Sequence, residues 1–270
     1  MKILEHCEQR LREIFKEESF HIIAIAITGS SAYGMNTKDS DTDIMGIFLP
    51  PLSYVLGVDK IEQVLLKKNI DIIEGTLFSF SKWFDLMIQQ NPNVLELLWH
   101  TDNMYVYEDD IFWPQLYELR DQFLSKKLKH SYGGYAWAQM QRLTKLNQKV
   151  NQNTKRLDNF EKFGYDVKAA SHVFRLLNSA LDALIDKEIT VLRPERQFLL
   201  AIREGKYTYE EMRKMADDKI ALIEQAYVKS DLRNKVDFDL QRRTHISILL
   251  TWLKMIQDNE KTKSSSVIHD

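Results

Sequence analysis

An α+β fold is predicted for this chain, with a mixed sheet within residues 1–108 and helices making up nearly all that follows. Three observations carry that expectation. Short β-branched or alternating apolar runs fall near residues 21–28, 42–49 and 69–77. Beyond residue 109 apolar positions recur at helical spacing instead. With 270 residues, 44% of them hydrophobic, the chain can bury a large core as one big domain or two moderate ones.

Taken in order, residues 2–18 carry the charged, amphipathic periodicity of a helix. Ile22 to Ile27 is rich in β-branched side chains and ends at a Gly-Ser pair, as a buried strand does when it stops at a turn. At that turn Gly29 offers a close approach free of side chain, while Ser30 and Ser31 add hydroxyls and open a short helix whose free amides suit an anion. Asp41 to Leu49 alternates as a half-buried strand, and a period of two sets Asp41 and Asp43 on one face. Two carboxylates pointing the same way repel, and a divalent cation resolves the repulsion. A strand over 69–77 follows, and Ser79 is placed to cap a helix running to about Gln89, which Asn91-Pro92 stops.

After a short strand near 104–107, helices are expected over 109–125, 131–150, 166–187, 195–204, 208–228 and 236–257. The polar stretch 259–270 reads as a disordered tail. The expected organisation is therefore a sheet domain over 1–108, a helical domain over 109–258 and the tail.

The run Thr28-Gly29-Ser30-Ser31, a polar spacer and then Ser40-Asp41-Thr42-Asp43 resembles the signature of the DNA polymerase β nucleotidyltransferase superfamily. Around it, Ser79 to Phe84, Asn91 to Trp99, Tyr132 to Ala136, Lys168 to Leu177, Val191 to Pro194 and Leu200 to Gly205 resemble one subfamily, the nucleotidyltransferases associated with RNA repair. The resemblance covers about residues 20 to 210. It implies a palm-like mixed sheet, a nucleoside triphosphate substrate, two Mg²⁺ or Mn²⁺ ions, and a third carboxylate from a later strand. Glu74 is the first choice for that carboxylate; the usual residue there is Asp, so Asp71 stays open as the alternative.

Charge is uneven. Residues 126–175 hold eleven Lys or Arg and three acids, about +8, which leaves about −10 on the remainder for a formal total of −2. Such a segment reads either as a solvated helical surface or as a track for a phosphate backbone. Within it Lys168, His172 and Arg175 share one helix face and are expected to contact the triphosphate, while Tyr135, Gln139 and Arg142 repeat the spacing after Gly133-Gly134 and would meet the acceptor.

Together these residues imply transfer of a nucleoside monophosphate, with Asp41, Asp43 and Glu74 holding metal and Gly29, Ser30, Ser31, Lys168, His172 and Arg175 holding the triphosphate. RNA is the expected acceptor. The alternatives are a small-molecule or protein acceptor, or a non-catalytic binding module on the same fold. No apolar run reaches the roughly 18 residues of a membrane span, and a cytoplasmic location is expected. The single cysteine, Cys7, precludes an internal disulfide and is expected to pack.

Overall fold

A computed structural model describes residues 2–16, 18–37, 40–66, 73–145 and 154–267. Asp71 and the ends of the expected 69–77 strand and 131–150 helix lie outside the described residues.

Five strands, β1 (His21–Ile27), β2 (Thr42–Leu49), β3 (Gln63–Leu66), β4 (Ile73–Ser79) and β5 (Tyr105–Glu108), form one sheet in the order β3-β4-β2-β1-β5. The β2–β4 pair is parallel and the other pairings are antiparallel, so the sheet is mixed as expected. β1 lies between β2 and β5, and its five inner residues are buried, which is why it reads as a continuous apolar run rather than an alternating one.

Helix α1 (Lys2–Phe15) covers one face of the sheet through Cys7, Leu11 and Phe15, one per turn, against Ile22, Ile25, Ile44, Phe48 and Leu77. Burial pushes the Cys7 thiol up to about 12, the behaviour of a packed and unreactive cysteine. Short helical turns α2 (Gly29–Ala32) and α3 (Leu52–Val55) follow β1 and β2. Helix α4 (Phe80–Ile88) buries Phe80, Trp83, Phe84 and Met87 at helical spacing on the opposite face. Ser79 stands at its N-cap position but is buried and makes no side-chain capping bond.

Asn91 caps α5 (Pro92–Leu95), accepting from the Val94 N–H, and a 3₁₀ turn over Glu96–Trp99 continues it. The helix expected over 109–125 is split into α6 (Trp113–Glu118) and a 3₁₀ turn over Arg120–Phe123. Its delayed start has a local cause. Asp109 is buried, accepts the N–H groups of Phe112 and Trp113, and meets His21 Nε2 at 2.7 Å, so residues 109–112 serve as the cap rather than the first turn.

The helical region comprises α7 (Leu128–Met140), α8 (Thr154–Phe163), α9 (Val167–Asp186), α10 (Arg196–Arg203), α11 (Tyr209–Lys229) and α12 (Phe238–Val267). Asp166 caps α9, and Thr208 with Glu211 forms a reciprocal capping box on α11. α9 is the central helix: fourteen of its twenty residues are buried, and it packs on α7, α10 and α11. One apolar core runs from Ile23, Ile47 and Phe84 through Leu95 and Leu116 into Val173, Leu177 and Leu199, so sheet and helices share an interior. α12 returns to the sheet, where the Trp252 indole N–H donates to the Pro50 carbonyl at 2.9 Å.

The structure differs from expectation at the carboxyl end, where α12 continues through Val267 instead of giving way to a disordered tail after residue 258. No Pro or Gly interrupts that stretch, and a polar sequence propagates an established helix at little cost. No helix among the described residues is long and apolar enough to cross a membrane.

Asp109→Ala removes the acceptor of two buried N–H groups and the partner of His21. It is expected to lower unfolding free energy by about 3 kcal/mol in a denaturant titration; an unchanged midpoint would contradict this account of the β5–α6 junction.

Candidate active site

The site begins where β1 ends. The Thr28 N–H donates to the Asp43 carbonyl at 2.8 Å, closing β1 against β2, and Gly29 follows at φ +63°. A Cβ on Gly29 would stand 2.0 Å from Asp43 Oδ2, so only glycine allows this carboxylate to lie on the turn. Beyond it, Gly34 N–H bonds the Ser31 carbonyl at 3.1 Å and Met35 N–H bonds the Ser30 carbonyl at 2.8 Å, folding the residues after α2 back on themselves.

Parallel pairing of β2 and β4 sets Asp43 opposite Glu74 in register. The Asp43 carboxyl is raised above the usual range first by burial, then by the charge of Glu74 and, less strongly, Asp41; the Lys168 ammonium opposes the shift. Asp41 immediately precedes β2. Among the described residues no three acidic, histidine or cysteine side chains close around a single point. The donor set is nonetheless all carboxylate oxygen, and a half-buried pair whose charges oppose each other fits a hard divalent cation such as Mg²⁺ or Mn²⁺.

Helix α9 brings Lys168, His172 and Arg175 to the other side of the turn at three depths. Lys168 is exposed and within electrostatic reach of Asp43; His172 is half-buried. Arg175 is only 1% exposed. Its guanidinium pairs with Glu96, lies 4.1 Å from the centre of the Tyr33 ring, and donates weakly to His172 Nδ1 at 3.3 to 3.4 Å, which assigns the ring proton to Nε2. Tyr33 in turn donates to Glu96 at 2.7 Å. Helical spacing alone sets Arg175 beside Lys168, whereas the structure holds it in the core, because α9 is buried along most of its length and Glu96 supplies a counter-charge from 79 residues away.

Tyr135, Gln139 and Arg142 do not share one continuous helical face. Tyr135 is exposed and its hydroxyl accepts from Asn91 Nδ2 at 3.0 Å, and Gln139 is half-buried. α7 ends at Met140, and Arg142 lies in the turn beyond, its N–H donating to the Gln139 carbonyl at 2.9 Å. Gly133 and Gly134 lie inside α7, as the helix expected over 131–150 has them. Part of the positive charge over 126–175 is also neutralised within the fold, since Lys129 pairs with Glu224 and Arg156 with Asp166.

Sequence reasoning missed Tyr33, Glu96 and Arg203. Arg203, at the end of α10, donates from Nη1 to the Met35 carbonyl at 3.3 Å, just behind the turn. Its lone signal in the sequence was a place in the Leu200 to Gly205 stretch.

The profile of the RNA repair pathway DNA polymerase beta family matches residues 3–247. The chain belongs to that family. It is 32% identical over 117 residues to an uncharacterized 38.9 kDa protein of Enterobacteria phage T4, a match covering 40% of this chain and 34% of the phage protein. It is 25% identical over 112 residues to the uncharacterized protein YcgL of Bacillus subtilis, covering 42% of each. The chain thus spans well under half of the curated relatives it matches. A nucleotidyltransferase-like protein from Exiguobacterium sibiricum, solved by crystallography, aligns over 83% of this chain and 75% of its own at 10% identity with a TM-score of 0.29. Family membership makes the chain nucleotidyltransferase-like within a DNA polymerase β family of RNA repair.

Two outcomes are expected. Because the Asp43 carboxyl is raised in the fold, its contribution to stability is complete below the usual carboxylate range and lost as pH rises through the raised value. Metal-free protein should therefore melt progressively lower above that range, Mg²⁺ or Mn²⁺ should offset the loss, and Asp43→Asn should flatten the profile; superimposable melting curves would refute this. Gly29→Ala forces a methyl group onto Asp43 Oδ2 and a left-handed backbone onto alanine. It is expected to weaken Mn²⁺ binding at least about tenfold by calorimetry, with a stability cost of about 1 to 2 kcal/mol.

Proposed function

We propose that the protein transfers a nucleoside monophosphate from a nucleoside triphosphate to an acceptor hydroxyl, most directly on RNA, releasing pyrophosphate in a cytoplasmic setting. The observation that supports this reading best is the in-register Asp43–Glu74 pair, with Asp43 lying on Gly29, in a chain of an RNA repair polymerase β family.

Each residue has a stated part. Asp41, Asp43 and Glu74 hold two divalent ions, which when bound supply Lewis-acid stabilisation of the triphosphate and lower the pKa of the acceptor hydroxyl. The amides and hydroxyls of Gly29, Ser30 and Ser31 orient the phosphates. Lys168, exposed on α9 and close enough to oppose the Asp43 shift, neutralises charge that gathers on the departing pyrophosphate. Arg175 acts at one remove: through Glu96 it fixes Tyr33, the residue that follows α2, and it keeps His172 in one tautomer at the mouth of the site. The acceptor side is assigned to Tyr135 and Gln139 of α7 and to Arg142 in the turn beyond it, with exposed Lys145 further on.

The Asp41→Asn/Asp43→Asn variant keeps side-chain shape and removes metal-binding charge, so it should fold normally and lose transfer activity by about 10³-fold or more. The assay incubates the protein with each α-labelled nucleoside triphosphate, Mg²⁺ or Mn²⁺ and total cellular RNA, and follows the label. Retention of full activity by the double variant would overturn the assignment, and label appearing in protein or small molecules instead of RNA would replace the acceptor. Binding of a short RNA should weaken steeply between low and moderate salt; indifference to salt would exclude a backbone track.

A further inference from the structure

We propose that the Arg203 guanidinium is an anion receptor behind the Gly29–Ser31 turn and takes a phosphate oxygen of the bound nucleoside triphosphate. This rests on the nucleotide-binding reading above and adds a residue that the reading does not contain.

Placement comes first. Arg196 and Arg203 stand seven residues apart, two turns, and so share a face of α10. That face lies along the loop leaving the turn. A Cβ on Gly34 would come within 3.4 Å of Arg196 Cδ, and Arg203 Nη1 reaches the Met35 carbonyl at 3.3 Å. The Met35 N–H is itself bonded to the Ser30 carbonyl. The Arg203 guanidinium is therefore separated from the Ser30 backbone by a single residue of loop.

Charge balance comes second, and here the chain contains its own contrast. Arg193 is 1% exposed and fully answered: it pairs with Asp182 and Glu195 and donates to Ser179 Oγ and the Thr190 carbonyl. That is how a structural arginine is held in this fold. Arg203 is half-buried, and among the described residues it makes a single hydrogen bond, to a neutral carbonyl; its Nε is buried without an acceptor. Its charged neighbour is another cation, Arg175, whose own carboxylate partner Glu96 is already engaged by Arg175 and Tyr33. Burial and the Arg175 charge both press the Arg203 pKa down. A half-buried guanidinium with an unused donor and no counter-charge is costly unless an anion arrives, and its fork suits a phosphate.

A purely mechanical role, pinning the Met35 carbonyl, makes opposite predictions. The full chain and its Arg203→Gln and Arg203→Lys variants are melted without ligand, then titrated with sodium tripolyphosphate without metal and with MgATP, at fixed ionic strength. The inference expects Arg203→Gln to melt no lower than the unaltered protein when ligand-free, since an unanswered charge is removed, and to bind tripolyphosphate and MgATP about ten- to a hundredfold more weakly. Arg203→Lys, which keeps the charge and loses the fork, should fall between. A lowered ligand-free melting temperature with unchanged affinity would make Arg203 a loop staple and overturn the inference. Equal affinity in all three proteins would also overturn it while leaving the proposed function intact. Failure of the unaltered protein to bind either tripolyphosphate or MgATP would bring down both.

Discussion

Two carboxyl groups held side by side on parallel strands, one of them lying on a glycine backbone, are the constraint around which the rest of this molecule is arranged. Asp43 and Glu74 meet because β2 and β4 run parallel in a register that leaves no slack: a shift of one residue would turn Glu74 to the other face. Burial and mutual repulsion make the pair unfavourable in isolation, and it persists because the sheet around it is buried by α1 on one side and by α4 and the helical layer on the other. The strain of like charges is localised where a bound cation would relieve it.

The helical region is part of that scaffold rather than an appendage. α9 threads the interior and carries Arg175 to Glu96, at the end of the segment capped by Asn91, and Tyr33 closes the same cluster from the Gly-Ser turn. Three separate stretches of chain are thereby tied at one buried charge pair. Removing one partner would leave the other uncompensated in a nonpolar interior, a penalty of about 3 to 5 kcal/mol in comparable buried pairs. The Gly29–Ser31 turn is thus fixed through Tyr33, while Lys168, one turn before His172 on the same helix, remains exposed.

Much of the site was legible in the sequence because its signals are local. β-Branched residues ending at Gly29 marked β1, alternation marked the strand that carries Asp43, and helical spacing over 166–187 and 208–228 matched α9 and α11 closely. What escaped depends on long-range pairing or on brevity. β3 is a four-residue edge strand with two exposed positions, too short for a pattern. α8 is short and mostly polar, with only Leu157, Phe160 and Phe163 marking an apolar face, and was passed over. The partnership of Glu96 with Arg175 joins positions 79 apart, so helical spacing showed that Arg175 lies on the Lys168 side of α9 but not that it is buried. Arg142 was assigned to a helix that in fact ends two residues earlier. Arg203 differs from the buried Arg175 and Arg193 in having no carboxylate partner, and a missing counter-charge has no signature in sequence.

A fold does not by itself name a substrate, so the proposed chemistry rests on the carboxyl pair and on whether it holds a hard cation. The most direct test is Mn²⁺ binding followed by electron paramagnetic resonance, with and without a non-hydrolysable nucleoside triphosphate, in the unaltered protein and in Glu74→Gln. Tight Mn²⁺ binding that strengthens with nucleotide and falls about tenfold or more in Glu74→Gln is the result expected from two carboxylates sharing one ion. Equal binding by both proteins, or a spectrum that nucleotide leaves unaltered, would contradict it.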